Sequence, residues 1–134
     1  MPEASYDPRR MRGLAVLDRL FGGEPASSPV NADLMAISTA HLFGDIWTRP
    51  ALGLRDRELV TLSVIAALGF ERQLRLHLRG ALAAGLGREE IVEAFIHLAH
   101  YSGYPSAFTA LAVAQDVFAA IDADSAVVDA GGRS

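Results

Sequence analysis

The stretch Arg57-Glu-Leu-Val-Thr-Leu-Ser-Val-Ile-Ala-Ala-Leu-Gly-Phe-Glu-Arg-Gln-Leu-Arg-Leu-His77 decides the fold. It reads as two helices broken at Gly69, a residue that ends helices readily. In the first, Leu59, Leu62, Val64, Ile65 and Leu68 leave little of the surface polar, the pattern of a central helix. Glu58 shares a stripe with Leu62 and Ile65, which points it inward. In the second, His77 shares a stripe with Phe70, Leu74, Leu78 and Ala81. A carboxylate and an imidazole brought together from facing helices can move protons without a metal or a cofactor.

The flanking sequence continues the helical period. Leu14, Leu17, Leu20 and Phe21 mark a first helix from about Asp7 to Phe21, ended by Gly22 and Gly23. A second is expected from Val30 to Ile46, with Leu34, Ile37, Ala40 and Leu42 buried, followed by a turn through Trp47-Thr-Arg-Pro50 and Gly53. The third starts near Arg55, and the fourth runs from Phe70 to Ala84 before Gly85. Arg88-Glu-Glu opens the fifth with acids where the helix dipole favours them. It ends near Ser102-Gly103, and Pro105 suits the first turn of a sixth helix reaching about Ile121. No useful stretch alternates with period two. The expectation is an all-α chain of six helices, one domain over residues 1–121, with a flexible tail over 122–134.

Composition narrows the chemistry. The 134 residues carry a net charge of -4, so no broad basic face invites nucleic acid. The 12 basic residues are all Arg, which excludes a Schiff-base lysine. With no cysteine, disulfides, thiolate metal sites and thiol redox chemistry are excluded. No apolar run approaches the ~18 residues of a membrane span, and Met-Pro-Glu-Ala-Ser-Tyr-Asp-Pro-Arg-Arg10 lacks a signal-peptide core. A cytoplasmic location follows as the expectation. Hydrophobic residues make up 51%, more than a small helical chain buries alone, which points to a subunit interface.

Gly44-Asp-Ile-Trp-Thr-Arg-Pro50, Leu54-Arg-Asp-Arg-Glu-Leu-Val-Thr-Leu62, Glu71-Arg-Gln-Leu-Arg-Leu-His-Leu-Arg79 and Tyr101-Ser-Gly-Tyr-Pro-Ser-Ala107, in this order, resemble the carboxymuconolactone decarboxylase family. The resemblance implies the all-α bundle of the alkylhydroperoxidase-D-like type, assembled as a homo-oligomer, a hexamer or trimer. The peroxidases of the wider superfamily pair a Glu and a His, here Glu58 and His77, with two redox cysteines. Those cysteine positions fall on Phe70 and Gln73, which excludes the peroxidase branch. The chain also departs from the decarboxylase pattern. A Gly-Asp-x-His-Val stretch is replaced by Phe21-Gly-Gly-Glu-Pro25, and an acid, Glu58, stands where a small hydroxyl residue is usual.

The resemblance implies a cofactor-independent decarboxylation, or a related proton transfer, on a small lactone or cyclic carboxylate, with Glu58 and His77 catalytic. Isomerisation or cyclisation of a secondary metabolite at the same site is the second possibility. A non-catalytic oligomeric binding protein, in which His77 is a satisfied core histidine, is the third. His41 and Trp47 lie in or beside the matched motif as candidate substrate contacts, as do Phe70 and Gln73 at the former cysteine positions. Arg49 and Arg75 are candidate carboxylate anchors, and Tyr101 and Tyr104 candidate pocket-mouth residues. Glu93, His97 and His100 share a helix face at metal-ligand spacing. A polar or interface face is the preferred explanation for them, and no metal or cofactor is expected.

Overall fold

The computed structural model describes residues 6–131, and every regular element in it is a helix. The chain divides into two compact units, residues 1–57 and 58–134.

In the first unit, α1 (Pro8–Phe21) is capped by the Asp7 carboxylate, which accepts from the Arg9 amide at 3.0 Å. Gly22, at φ 78°, ends it in the left-handed region. The expected second helix is present but changes character along its length. It is an α-helix, α2, over Ala32–Ile37, and a π-helix over Ser38–Ile46. The Trp47 amide bonds the Leu42 carbonyl five residues back, at 2.9 Å. Runs of this winding are rare, and they change which residues point inward. Thr39, Phe43, Gly44 and Trp47 are buried, whereas Leu34, Ile37 and Leu42, expected in the core, are exposed. For Leu42 the α-period reading assigns the wrong face because the helix stops following that period at Ser38, whereas Leu34 and Ile37 lie in α2, which buries no residue.

Two glycines explain how closely the π-helix and α1 pack. A Cβ on Gly13 would collide with the Thr39 carbonyl, and one on Gly44 with the Arg9 carbonyl. Arg12 then reaches across, donating through Nε to the Gly44 carbonyl at 3.2 Å. The Thr39 hydroxyl, fully buried, donates to Glu24 at 3.1 Å and ties the intervening loop down. Gly13→Ala and Gly44→Ala should each cost about 3 kcal/mol, because backbone cannot yield as a side chain does. Gly53→Ala, with open space around it, should be close to neutral. Urea denaturation followed by circular dichroism measures the difference, and equal midpoints for all three would contradict the packing account.

The boundary between units falls inside α3 (Leu54–Leu68). Gly69 (φ 77°) breaks the run as the sequence suggests, and α4 (Glu71–Ala83) follows. The Gly87 amide donates to the Glu90 carboxylate at 3.0 Å, closing the start of α5 (Arg88–Ser102). Leu62, Leu74, Leu78, Ile91, Phe95, Ala110 and Val113 form one core from α3, α4, α5 and α6. Burying each large apolar side chain among them contributes about 1.5–3 kcal/mol.

Two expectations about this unit change. α6 runs over Tyr104–Gly131, so residues 122–131, read from sequence as tail, are helical; residues 132–134 lie outside the described region. One anchor is the Arg88 guanidinium, which holds Asp122 at 3.1 Å through Nη1 and packs over the Phe118 ring at 4.9 Å. Beyond Asp122 the chain is Ala- and Val-rich without a breaker until Gly131. The second change concerns α3, which is not buried all round: Val60, Val64 and Leu68 are each more than half exposed.

Candidate active site

Glu58 sits in the second turn of α3 and His77 in the middle of α4. Glu58 is fully buried, while the His77 side chain keeps 11% of its surface exposed. The Nδ1 atom of His77 lies 3.1 and 3.2 Å from the two carboxylate oxygens of Glu58. The two helices therefore bring the pair into hydrogen-bond contact, with the imidazole between the buried acid and the surface.

Burial pushes the Glu58 carboxyl above its ordinary range, because the charged form loses its water. The hydrogen bond and the charge of His77 act in the opposite direction and do not cancel it. The consequence for proton transfer is simple. With one titrating proton on the pair beyond that of neutral imidazole and carboxylate, two arrangements exist. Either Glu58 is ionised and His77 is a cation, or Glu58 is protonated and donates to Nδ1. Both place an N–H at Nε2, so a raised Glu58 pKa does not remove the donor. Loss of that proton leaves an ionised Glu58 accepting from Nδ1–H and a basic Nε2. The pair is thus a proton donor in one state and a base in the other.

The remaining candidates distribute as follows. Gln73 stands one turn before His77 on α4, a spacing that puts both on one face. Phe70, at the N-cap of α4, is half-exposed and does not join the core stripe expected of it. Arg75 is on the opposite side of α4 and bonds Asp116 of α6 at 3.4 Å. Its guanidinium is directed toward α6 and away from His77. Tyr101 lines a groove of about 840 Å³ with Leu59, Ser63, Glu93 and His97. Tyr104 lines a smaller apolar one of about 260 Å³ with His100, Phe108 and Leu111. Neither groove includes Glu58 or His77.

His41, Trp47 and Arg49 belong to the first unit. His41 is exposed, with Nδ1 3.3 Å from Asp45, a carboxylate that also meets Arg12 at 3.2 Å. Trp47 is buried against Phe43, with ring centroids 5.4 Å apart. Arg49 is exposed, and its carbonyl accepts from Arg57 at 3.0 Å. Of the possible metal ligands, His97 packs beside the Tyr101 ring, and Nδ1 of His100 donates to the Ile96 carbonyl at 3.0 Å. Among the described residues no three His, Asp or Glu side chains are grouped to hold a metal ion. Sequence reasoning passed over Ser63 and Leu59 in the larger groove. A serine whose hydroxyl bonds its own helix, here the Leu59 carbonyl at 2.9 Å, carries no signal in the sequence.

The sequence model of the carboxymuconolactone decarboxylase family matches residues 32–116, and the chain belongs to that family. A 4-carboxymuconolactone decarboxylase of Acinetobacter baylyi is 31% identical over 118 residues, covering 84% of this chain and 88% of the relative. A nitrosuccinic acid decarboxylase of Metarhizium robertsii is 36% identical over 89 residues, covering 66% of this chain and 62% of the relative. An uncharacterised 15.0 kDa protein of Paracoccus denitrificans is 38% identical over 82 residues, 60% of this chain and 61% of its own length.

A carboxyl whose folded-state pKa is raised binds its proton more tightly in the folded than in the unfolded chain. The stability this gives is complete below the ordinary carboxylate range and is lost as pH rises through the raised value. Wild type should therefore lose thermal stability relative to Glu58→Gln across that window. The Tm difference between the two, measured from pH 4 upward, should grow and then level off. A difference independent of pH would show that Glu58 is not shifted upward.

Proposed function

We propose that this chain is a cofactor-independent decarboxylase of small acids, in which Glu58 and His77 form the proton-transfer centre. The observation that carries the reading is the contact of a fully buried carboxylate with a partly exposed imidazole at 3.1 Å. It is joined by two relatives that carry decarboxylase names. A lactone acid and a nitro acid share one property. Each contains an oxygen-bearing group that can accept an electron pair, a carbonyl in one and a nitro group in the other. When the bond to the carboxylate breaks, carbon dioxide leaves and the pair passes into that group, forming an enolate or nitronate. His77 then delivers the Nε2 proton to carbon, and solvent returns a proton to the Glu58–His77 pair. One proton is consumed for each carbon dioxide released, and no electrons enter or leave. The electron sink belongs to the substrate, so the site has only to hold it, stabilise the oxyanion and supply the proton.

A second reading keeps the same pair and omits carbon dioxide loss. Because the pair works as donor in one state and base in the other, it can also move a proton between two carbons, as an isomerase or cyclase requires. Carbon dioxide release from carboxymuconolactone and from nitrosuccinate by the purified protein separates the two. Wild type should release it, and His77→Ala and Glu58→Gln should lower kcat by about 100-fold or more. A folded wild-type protein that releases none from either acid would sink the decarboxylase reading. Full activity in both variants would show that the pair only packs and that the reaction is carried by other residues.

In this reading the protein works in the cytoplasm as a homo-oligomer, a trimer or hexamer. Among the described residues no helix is long and apolar enough to cross a membrane. Oligomer formation is supported by apolar side chains exposed in the single chain, among them Val60, Val64, Leu68 and Phe108. Light scattering after size exclusion should give a mass of three or six chains, and Val64→Arg should reduce it. A monomeric wild type would refute the assembly.

A further inference from the structure

On α4, the residues beside His77 differ sharply in character from those behind it. Gln73 lies four residues before His77, within the distance at which helix side chains are neighbours. It is exposed, and its carboxamide makes no hydrogen bond to another described residue. Phe70 offers an exposed aromatic surface at the amino end of the same helix. The helix also carries three arginines, Arg72, Arg75 and Arg79, all exposed. At 3.6 residues per turn they project from the side away from His77, and Arg75 is tied to Asp116 on α6. The face that His77 shares therefore presents a neutral donor and an apolar ring, and the cations of the helix point elsewhere.

We propose that Gln73 is a specificity-determining residue of this site. Its carboxamide N–H donates to the oxygen that takes up the electron pair, and this selects acids whose electron acceptor is neutral, a lactone carbonyl or a nitro group. The inference rests on the decarboxylase reading and adds the substrate class to it. A neutral amide donor binds an uncharged oxygen adequately in the ground state and gains strength as that oxygen becomes negative, so its contribution falls on the transition state. It does not offset the desolvation of an acceptor that is already an anion, which would require a guanidinium. Phe70 provides an apolar surface for the body of a cyclic substrate.

The test uses the full-length protein, carboxymuconolactone as substrate, and paraconate, a saturated lactone acid with no route to carbon dioxide loss, as binding probe. Paraconate should shift the Gln73 side-chain amide resonances in NMR spectra. Gln73→Leu, which keeps the size and removes the donor, should lower kcat/KM about tenfold or more, mainly through kcat, and weaken paraconate binding. Arg75→Ala should leave both within about twofold. Unchanged turnover in Gln73→Leu, no shift of the Gln73 amide, or an equal loss in Arg75→Ala would each overturn the assignment. Should wild type release no carbon dioxide while paraconate still binds through Gln73, the decarboxylase reading falls and the electron-acceptor role with it, leaving Gln73 as a lactone-binding contact.

Discussion

A buried acid with one charged-capable neighbour is the constraint around which the second unit is arranged. Glu58 has no exposed surface, and its carboxylate oxygens are met by Nδ1 of His77. Removing a carboxylate from water is costly unless a partner compensates it. His77 is that partner, and the compensation is incomplete, since the carboxyl remains shifted upward. The rest of the unit makes the contact possible. Gly69 turns the chain between α3 and α4, and Leu62, Leu74 and Leu78 bury the faces that carry the two groups.

An apolar environment gives the pair its chemical value. In water a glutamate and a histidine titrate nearly independently, and neither holds a proton especially well for a reacting carbon. Here the acid is fully buried against an imidazole that keeps 11% of its surface exposed.

The first unit is organised by close approach of backbones. Gly13 and Gly44 let α1 and the π-helix come nearer than any side chain would permit, and Thr39, Phe43 and Trp47 fill the contact. His41 is accounted for by the surface cluster around Asp45, where Arg9, Arg12 and His41 converge. An ion-pair cluster of this exposure contributes modestly to stability, and it gives His41 a local partner four residues on.

The sequence by itself determined the helices, the break at Gly69 and the inward direction of Glu58, because these follow from local periodicity and from residues with strong backbone preferences. It also set Glu58 and His77 apart, since both interrupt apolar stripes. Only the tertiary structure decided which apolar residues are buried. Leu34, Ile37, Val64 and Leu68 look like core in a linear pattern, yet they are exposed in the single chain, because burial depends on what faces a helix. The π-helix over Ser38–Ile46 was equally invisible, since the i→i+5 ladder is chosen by packing against α1 and has no residue signature of its own. The placement of Arg75 against Asp116 and the continuation of α6 past Asp122 were settled by contacts between residues far apart in the chain, which no local pattern encodes.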